Sequence, residues 1–139
     1  MDPFVLDASV AISWCFPNDP AEDTQYSRRI LTLLETRDAI VPEIWGYEMA
    51  NALYVSCSLR SRITGQQVQE FLERLKALPI RMERQDHWET VALESHARKW
   101  GVAAYDAAYL ALALHRTLPL ATSDQGLRNA AASAGVQLI

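Results

Sequence analysis

The sequence has no apolar run long enough to cross a membrane. A transmembrane helix needs roughly 18 or more apolar residues in succession, and the longest such stretch here, 103–114, is interrupted by Asp106. Residues 1–4, Met-Asp-Pro-Phe, also lack the basic segment that opens a secretion signal. We therefore expect a protein without a membrane association.

Cysteine is scarce. Cys15 and Cys57 have no C-x-x-C spacing and are too few for a disulfide framework, so we expect reduced thiols and a cytoplasmic protein. The three histidines, His87, His96 and His115, form no H-x-x-x-H pair. A zinc site and a Ser-His or Cys-His nucleophile are both poorly supported by this pattern.

Lysine is also scarce, since eleven of the 13 cationic residues are arginine. The net charge of the chain is −4. An acidic balance argues against a protein that coats nucleic acid through a broad basic surface. It does not exclude a nuclease, because bound metal ions can reverse the local charge. Arginine is also the cation best suited to bidentate contacts with phosphate.

What remains is an ordinary globular composition, 50% apolar and 22% charged. The length of 139 residues, without repeat or linker, predicts one domain over residues 1–139. Short apolar runs alternate with helical patterns along the chain. Strands are expected at 4–6, 39–42, 80–82, 118–121 and 136–139. This alternation predicts an α/β fold, a three-layer α/β/α sandwich with a central parallel sheet of about five strands.

Three aspartates lie where the functional residues of a parallel sheet gather. Asp7 follows the first predicted strand, Asp124 follows the fourth, and Asp106 lies near the start of the preceding helix. The functional crevice of such sheets lies outside the carboxyl ends of the strands, so we expect these side chains to meet there. Each also precedes a predicted helix, so N-capping is an alternative for all three.

Glu48 has no capping alternative, because it lies inside a helix predicted over 43–59. Ile44, Glu48, Asn51 and Val55 form one stripe of that helix, apolar at its ends and polar in its middle. An inward-facing carboxylate needs a partner. A cation site, a nearby arginine or an exposed rim position would each satisfy it, and we favour the site.

Clustered carboxylates repel one another unless a cation neutralises them. Oxygen ligands without histidine or cysteine favour Mg²⁺ or Mn²⁺, and such an ion can activate water against a phosphodiester. The candidate catalytic and metal-ligating residues are Asp7, Glu48, Asp106 and Asp124. Three polar residues can support them, each with a turn or capping alternative: Ser9, Asn51 and Thr122.

Four segments together resemble the PIN domain, and specifically the ribonuclease toxins of bacterial VapBC toxin–antitoxin pairs. In order they are FVLDASVA at 4–11, PEIW at 42–45 leading to Glu48 and Asn51, YDAAYLALA at 105–113, and LATSDQGL at 120–127. The D-A-S of the first segment is weak by itself. The third segment, followed closely by T-S-D-x-x-L, is far more specific.

The resemblance implies a five-stranded parallel sheet and a Mg²⁺- or Mn²⁺-dependent endoribonuclease that leaves a 5′-phosphate and a 3′-hydroxyl. It assigns Asp7, Glu48, Asp106 and Asp124 to the acidic set, with Asp7 and Asp106 as direct metal ligands. Ser9, Thr122 and Asn51 match its supporting positions. The implied partners are an RNA substrate, a second copy in a homodimer, and a cognate antitoxin that blocks the site, commonly with a basic side chain. No acidic position of the family is missing.

Other function classes fit less well. A phosphoacceptor receiver domain needs a lysine after its last strand, and none follows Lys99. A haloacid-dehalogenase-type phosphatase needs D-x-D after the first strand, where Ser9 replaces the second aspartate. A PIN-like module that binds RNA or protein without cutting stays open as the alternative.

Overall fold

A computed structural model describes residues 2–139, and a parallel sheet forms its central layer. The strands of this part of the chain are β1 (Phe4–Leu6), β2 (Ala39–Pro42), β3 (Ile80–Glu83) and β4 (Leu120–Ala121). They lie in the order β3-β2-β1-β4, and every neighbouring pair is parallel. The predicted α/β fold with a central parallel sheet is confirmed.

Helices connect the strands and follow the last one. They are α1 (Ala8–Ser13), α2 (Gln25–Leu33), α3 (Ile44–Tyr54), α4 (Gly65–Lys76), α5 (His87–Trp100), α6 (Ala104–Arg116) and α7 (Gln125–Ala134). A π-helical turn, Val55–Leu59, continues α3. Within residues 2–139 no helix combines the length and apolarity that a membrane span requires.

The fifth predicted strand, at 136–139, is reduced to one parallel bridge between Leu120 and Leu138. Two backbone hydrogen bonds hold it, from Leu120 N–H to Gln137 O (2.8 Å) and from Ile139 N–H to Leu120 O (3.1 Å). The reason is the shortness of β4, which offers this segment little more than Leu120 to pair with. The sheet therefore has four strands, and the expectation of about five is corrected.

The strands are buried on both faces, and their side chains alternate between two apolar clusters. On β1, Phe4 and Leu6 pack with residues of α1, α2, α3 and α4, whereas Val5 packs with α6 and α7. Both faces of the sheet are thus covered by helices. The loops that leave the carboxyl ends of β1 and β4 lie beside each other at one edge of the sheet, because β1 pairs directly with β4.

Candidate functional site

Asp7 lies at the carboxyl end of β1 and is 5% exposed. It occupies the N-cap position of α1, yet its side chain accepts no capping hydrogen bond. Instead Oδ2 accepts hydrogen bonds from the Ser9 hydroxyl (2.6 Å) and the Thr122 hydroxyl (2.7 Å). Capping therefore does not explain Asp7, and the two hydroxyls hold its carboxylate in one orientation.

Ser9 and Thr122 join the loops that follow β1 and β4. The buried Thr122 hydroxyl donates to Asp7 and accepts from the backbone N–H of Asp124 (3.0 Å). The Ser9 hydroxyl likewise accepts from the backbone N–H of Ser123 (3.2 Å). Both hydroxyls thus act as donor and acceptor, and the loop after β4 is fixed relative to Asp7.

Asp124 caps α7. Its Oδ2 accepts a hydrogen bond from the Leu127 N–H (2.8 Å), while the residue itself is exposed. The capping alternative is thus correct for this aspartate, and only one of its two oxygens is used for the cap. The cap fixes the position of this carboxylate, and its negative charge raises the pKa values of Asp7 and Asp106.

Asp106 lies in the first turn of α6, two residues after its first residue, and the N-cap position belongs to Ala103. The capping alternative for Asp106 does not hold, because Ala103 has the extended backbone of the N-cap position. Among residues 2–139 no side chain donates a hydrogen bond to Asp106. Its side chain is half-buried.

Burial and the repulsion between neighbouring carboxylates raise the pKa values of two of these aspartates. Burial is the largest cause for Asp7; the hydroxyls of Ser9 and Thr122 oppose the rise, and the charge of Asp124 adds to it. For Asp106, burial again comes first, followed by the negative charges of Asp124 and Asp7. The three aspartates are therefore close enough to feel one another's charge.

Glu48 faces the same group from α3 and is half-buried. Its Oε1 accepts a hydrogen bond from the Tyr109 hydroxyl (2.6 Å), whose oxygen in turn accepts a long one from the Ala8 N–H (3.4 Å). Burial raises the pKa of Glu48, the Tyr109 hydroxyl lowers it, and the charges of Asp7 and Asp106 raise it further. The partner of this carboxylate is a tyrosine and not an arginine.

Sequence reasoning missed Tyr109. It is fully buried, and burial together with the bond to the Glu48 carboxylate raises the pKa of its hydroxyl far above the ordinary value of 10.0. The hydroxyl therefore stays protonated and acts as a donor. A signal was available, since a tyrosine on the buried face of an apolar helix needs a polar partner. It lies three residues after Asp106.

Asn51 makes no hydrogen bond with this group among residues 2–139. It is exposed on α3. The buried positions on that helix are Met49 and Leu53. The predicted stripe therefore reaches solvent at Asn51, and Glu48 alone of its polar members faces the other carboxylates.

The donor set fits a hard divalent cation that keeps part of its water shell. Within residues 2–139 no three histidine, cysteine, aspartate or glutamate side chains form a group ready to hold a metal ion. Mg²⁺ seldom takes an all-protein cage; one or two carboxylates usually hold it, together with water and substrate phosphate. Neither lysine nor arginine lowers the pKa of Asp7, Glu48 or Asp106.

The Tyr109–Glu48 bond gives a test of the buried network. Replacing Tyr109 by phenylalanine leaves the half-buried Glu48 carboxylate without its donor, which should cost about 1–3 kcal/mol of unfolding free energy. Urea denaturation in EDTA measures the loss. The matched control is Tyr105→Phe, since Tyr105 is 54% exposed and makes no hydrogen bond in residues 2–139. Equal stability of the two variants would refute a structural role for this bond.

The sequence model of the PIN domain family matches residues 4–133. No curated protein sequence matches the chain. The solved structures that share its fold include the following two. PAE2754 from Pyrobaculum aerophilum is 19% identical with a TM-score of 0.69, covering 94% of this chain and 87% of that one. FitAcB from Neisseria gonorrhoeae is 22% identical with a TM-score of 0.62, and the match covers 100% of this chain and 96% of that one. PIN domains are generally metal-dependent nucleases. The chain belongs to the PIN domain family.

Proposed function

We propose that the chain is a Mg²⁺- or Mn²⁺-dependent endoribonuclease of the VapC type, the toxin of a toxin–antitoxin pair. One observation carries the proposal. The pKa values of Asp7, Glu48 and Asp106, which come from three separate elements, are raised by burial and by neighbouring carboxylates, and no cationic side chain lowers them. Such a group is costly in the free protein and favourable around a divalent cation. The proposed site comprises four residues, Asp7, Glu48, Asp106 and Asp124.

Asp7 and Asp106 would hold the metal directly, as the resemblance to this family implies. Ser9 and Thr122 fix the Asp7 carboxylate through its Oδ2, which leaves Oδ1 without a side-chain donor among residues 2–139. Glu48, held by Tyr109, and Asp124, held by the N-terminus of α7, would complete the acidic set around metal-bound water.

A bound Mg²⁺ or Mn²⁺ would supply a water of lowered pKa and would neutralise the charge that develops on the phosphodiester. The role of the chain's own carboxylates would be to hold the ion, to orient the attacking water by hydrogen bonds and to accept the water's proton. Attack of water on the phosphorus, with departure of the 3′-oxygen, leaves a 5′-phosphate and a 3′-hydroxyl.

The deciding experiment is digestion of purified cellular RNA with Mg²⁺, with Mn²⁺ and with EDTA. We expect internal cleavage with either ion and none with EDTA, and end-mapping should find 5′-phosphates at the new ends. Binding of RNA without cleavage under every metal condition would instead favour the non-catalytic PIN-like module.

The toxin assignment predicts two protein partners, a cognate antitoxin and a second copy of the chain. A small gene directly beside this one should encode the antitoxin, and its product should inhibit the cleavage. A homodimer finds support in Trp88 and Val91, which lie on one face of α5 with 69% and 63% of their surface exposed. The mass of the purified chain in solution, measured by sedimentation, tests the dimer.

A further inference from the structure

Two arginines lie against one aromatic ring beside the carboxylates. The guanidinium carbons of Arg29, on α2, and Arg128, on α7, lie 5.4 and 5.5 Å from the centre of the Tyr26 ring. The Tyr26 hydroxyl accepts a hydrogen bond from the backbone N–H of Thr122 (3.1 Å). Because the Thr122 side chain donates to Asp7, three successive contacts link this cationic pair to the proposed metal ligand: arginine to Tyr26, Tyr26 to Thr122, and Thr122 to Asp7.

Neither arginine forms an ion pair with a carboxylate in residues 2–139. Arg128 donates from Nη1 to the backbone oxygen of Thr122 (2.8 Å), and Arg29 makes no hydrogen bond in this part of the chain. Arg28, the chain neighbour of Arg29, in contrast pairs with Asp23 at 3.5 Å. Five other arginines have acidic or backbone partners elsewhere: Arg37, Arg62, Arg81, Arg98 and Arg116.

We propose that Arg29 and Arg128 bind a backbone phosphate of the RNA strand next to the cleaved bond. The inference rests on the proposed ribonuclease function and adds a residue-level account of how the strand is held. The four carboxylates repel the flanking phosphates of a substrate, so the strand needs cationic contacts outside the acidic group. Arg29 and Arg128 supply these cationic contacts near the point where the loop after β4 leaves the sheet.

Stacking on Tyr26 prepares the pair for this contact. A guanidinium carries five N–H donors in a planar fork suited to phosphate oxygens. Arg128 uses one of its nitrogen atoms on Thr122, and its exposed neighbour Arg29 uses none within residues 2–139. The ring and the carbonyl restrict the rotamers of the arginines before the RNA arrives, which reduces the entropic cost of binding.

The test is RNA binding as a function of salt, in an Asp7→Asn background where we expect cleavage to be too slow to disturb the binding measurement. The probe is a single-stranded RNA oligonucleotide of mixed sequence, with Mg²⁺ present. Arg29→Gln and Arg128→Gln should each weaken binding about tenfold at low salt, the scale of one charge-assisted hydrogen bond. Each should also reduce the slope of log Kd against log salt by about 0.7.

Arg98→Gln is the matched control, because it changes the net charge equally while Arg98 pairs with Glu94 on α5. It should leave both affinity and slope unchanged. Unchanged binding by Arg29→Gln and Arg128→Gln would overturn the proposal, as would weaker binding with an unaltered salt slope and a lowered melting temperature. If the wild-type chain still cleaves RNA in either case, the ribonuclease function stands and only the phosphate contact fails.

Discussion

Asparagine in place of Asp7 is expected to slow RNA cleavage roughly 10³-fold, which corresponds to about 4 kcal/mol of transition-state stabilisation. The substitution keeps the size of the side chain and an acceptor for the Ser9 and Thr122 hydroxyls. It removes the charge that a divalent cation requires. Single-turnover cleavage of a labelled RNA in Mn²⁺ measures the effect.

The matched control is Asp38→Asn. Asp38 immediately precedes β2, at the opposite edge of the sheet from Asp7, and it pairs with Arg81 at 3.4 Å. This variant should cleave at the wild-type rate. An Asp7→Asn variant that retained wild-type activity would remove Asp7 from the chemistry, and the proposed metal site would fail with it.

The second large effect concerns stability without metal. Folding raises the pKa values of Asp7 and Asp106 above their ordinary value of 3.8, and that of Glu48 above 4.5. At a pH between the unfolded and the folded pKa values, the folded chain therefore binds more protons than the unfolded chain. Their destabilising effect is absent at a pH below the unfolded pKa values. It grows as the pH rises toward the folded pKa values and is complete above them.

In EDTA, Asp7→Asn should therefore melt several degrees above the wild type at about pH 7.5, and the difference should shrink near pH 4. Mn²⁺ or Mg²⁺ at about 100 times its Kd should raise the stability of the wild type by about 2.7 kcal/mol at neutral pH. Asp7→Asn should lose most of that response, and Asp38→Asn should keep it. Melting curves unaffected by either ion would contradict a metal site.

Most of the fold could be predicted because local signals and the global fold agree. The strand at 39–42 is found at Ala39–Pro42. Thr64 and Gln67, which have the T-x-x-Q spacing of a capping box, form one at the start of α4. Gly101 ends α5 with φ of 67°, as its position after the last helical residue predicts.

The site was less completely predictable, because pairs of residues far apart in sequence decide it. The positions of Asp7 and Glu48 follow from strand ends and helix periodicity. That Tyr109 holds Glu48, 61 residues away, depends on how α3 packs against α6. The sequence also could not decide which aspartates cap a helix. In the structure Asp124 caps α7, the Asp7 side chain binds hydroxyl groups instead of capping α1, and Asp106 lies inside the first turn of α6. The catalytic roles of these residues stay predictions.

The most direct test of the account is the position of a bound metal. Crystals of the chain soaked in Mn²⁺ should give an anomalous scattering peak at about 2.0–2.2 Å from a carboxylate oxygen of Asp7, with Asp106 directly or through water in its shell. The same soak of Asp7→Asn crystals should give no peak there. A peak elsewhere on the wild-type chain, with none at the carboxyl edge of the sheet, would contradict the proposed centre.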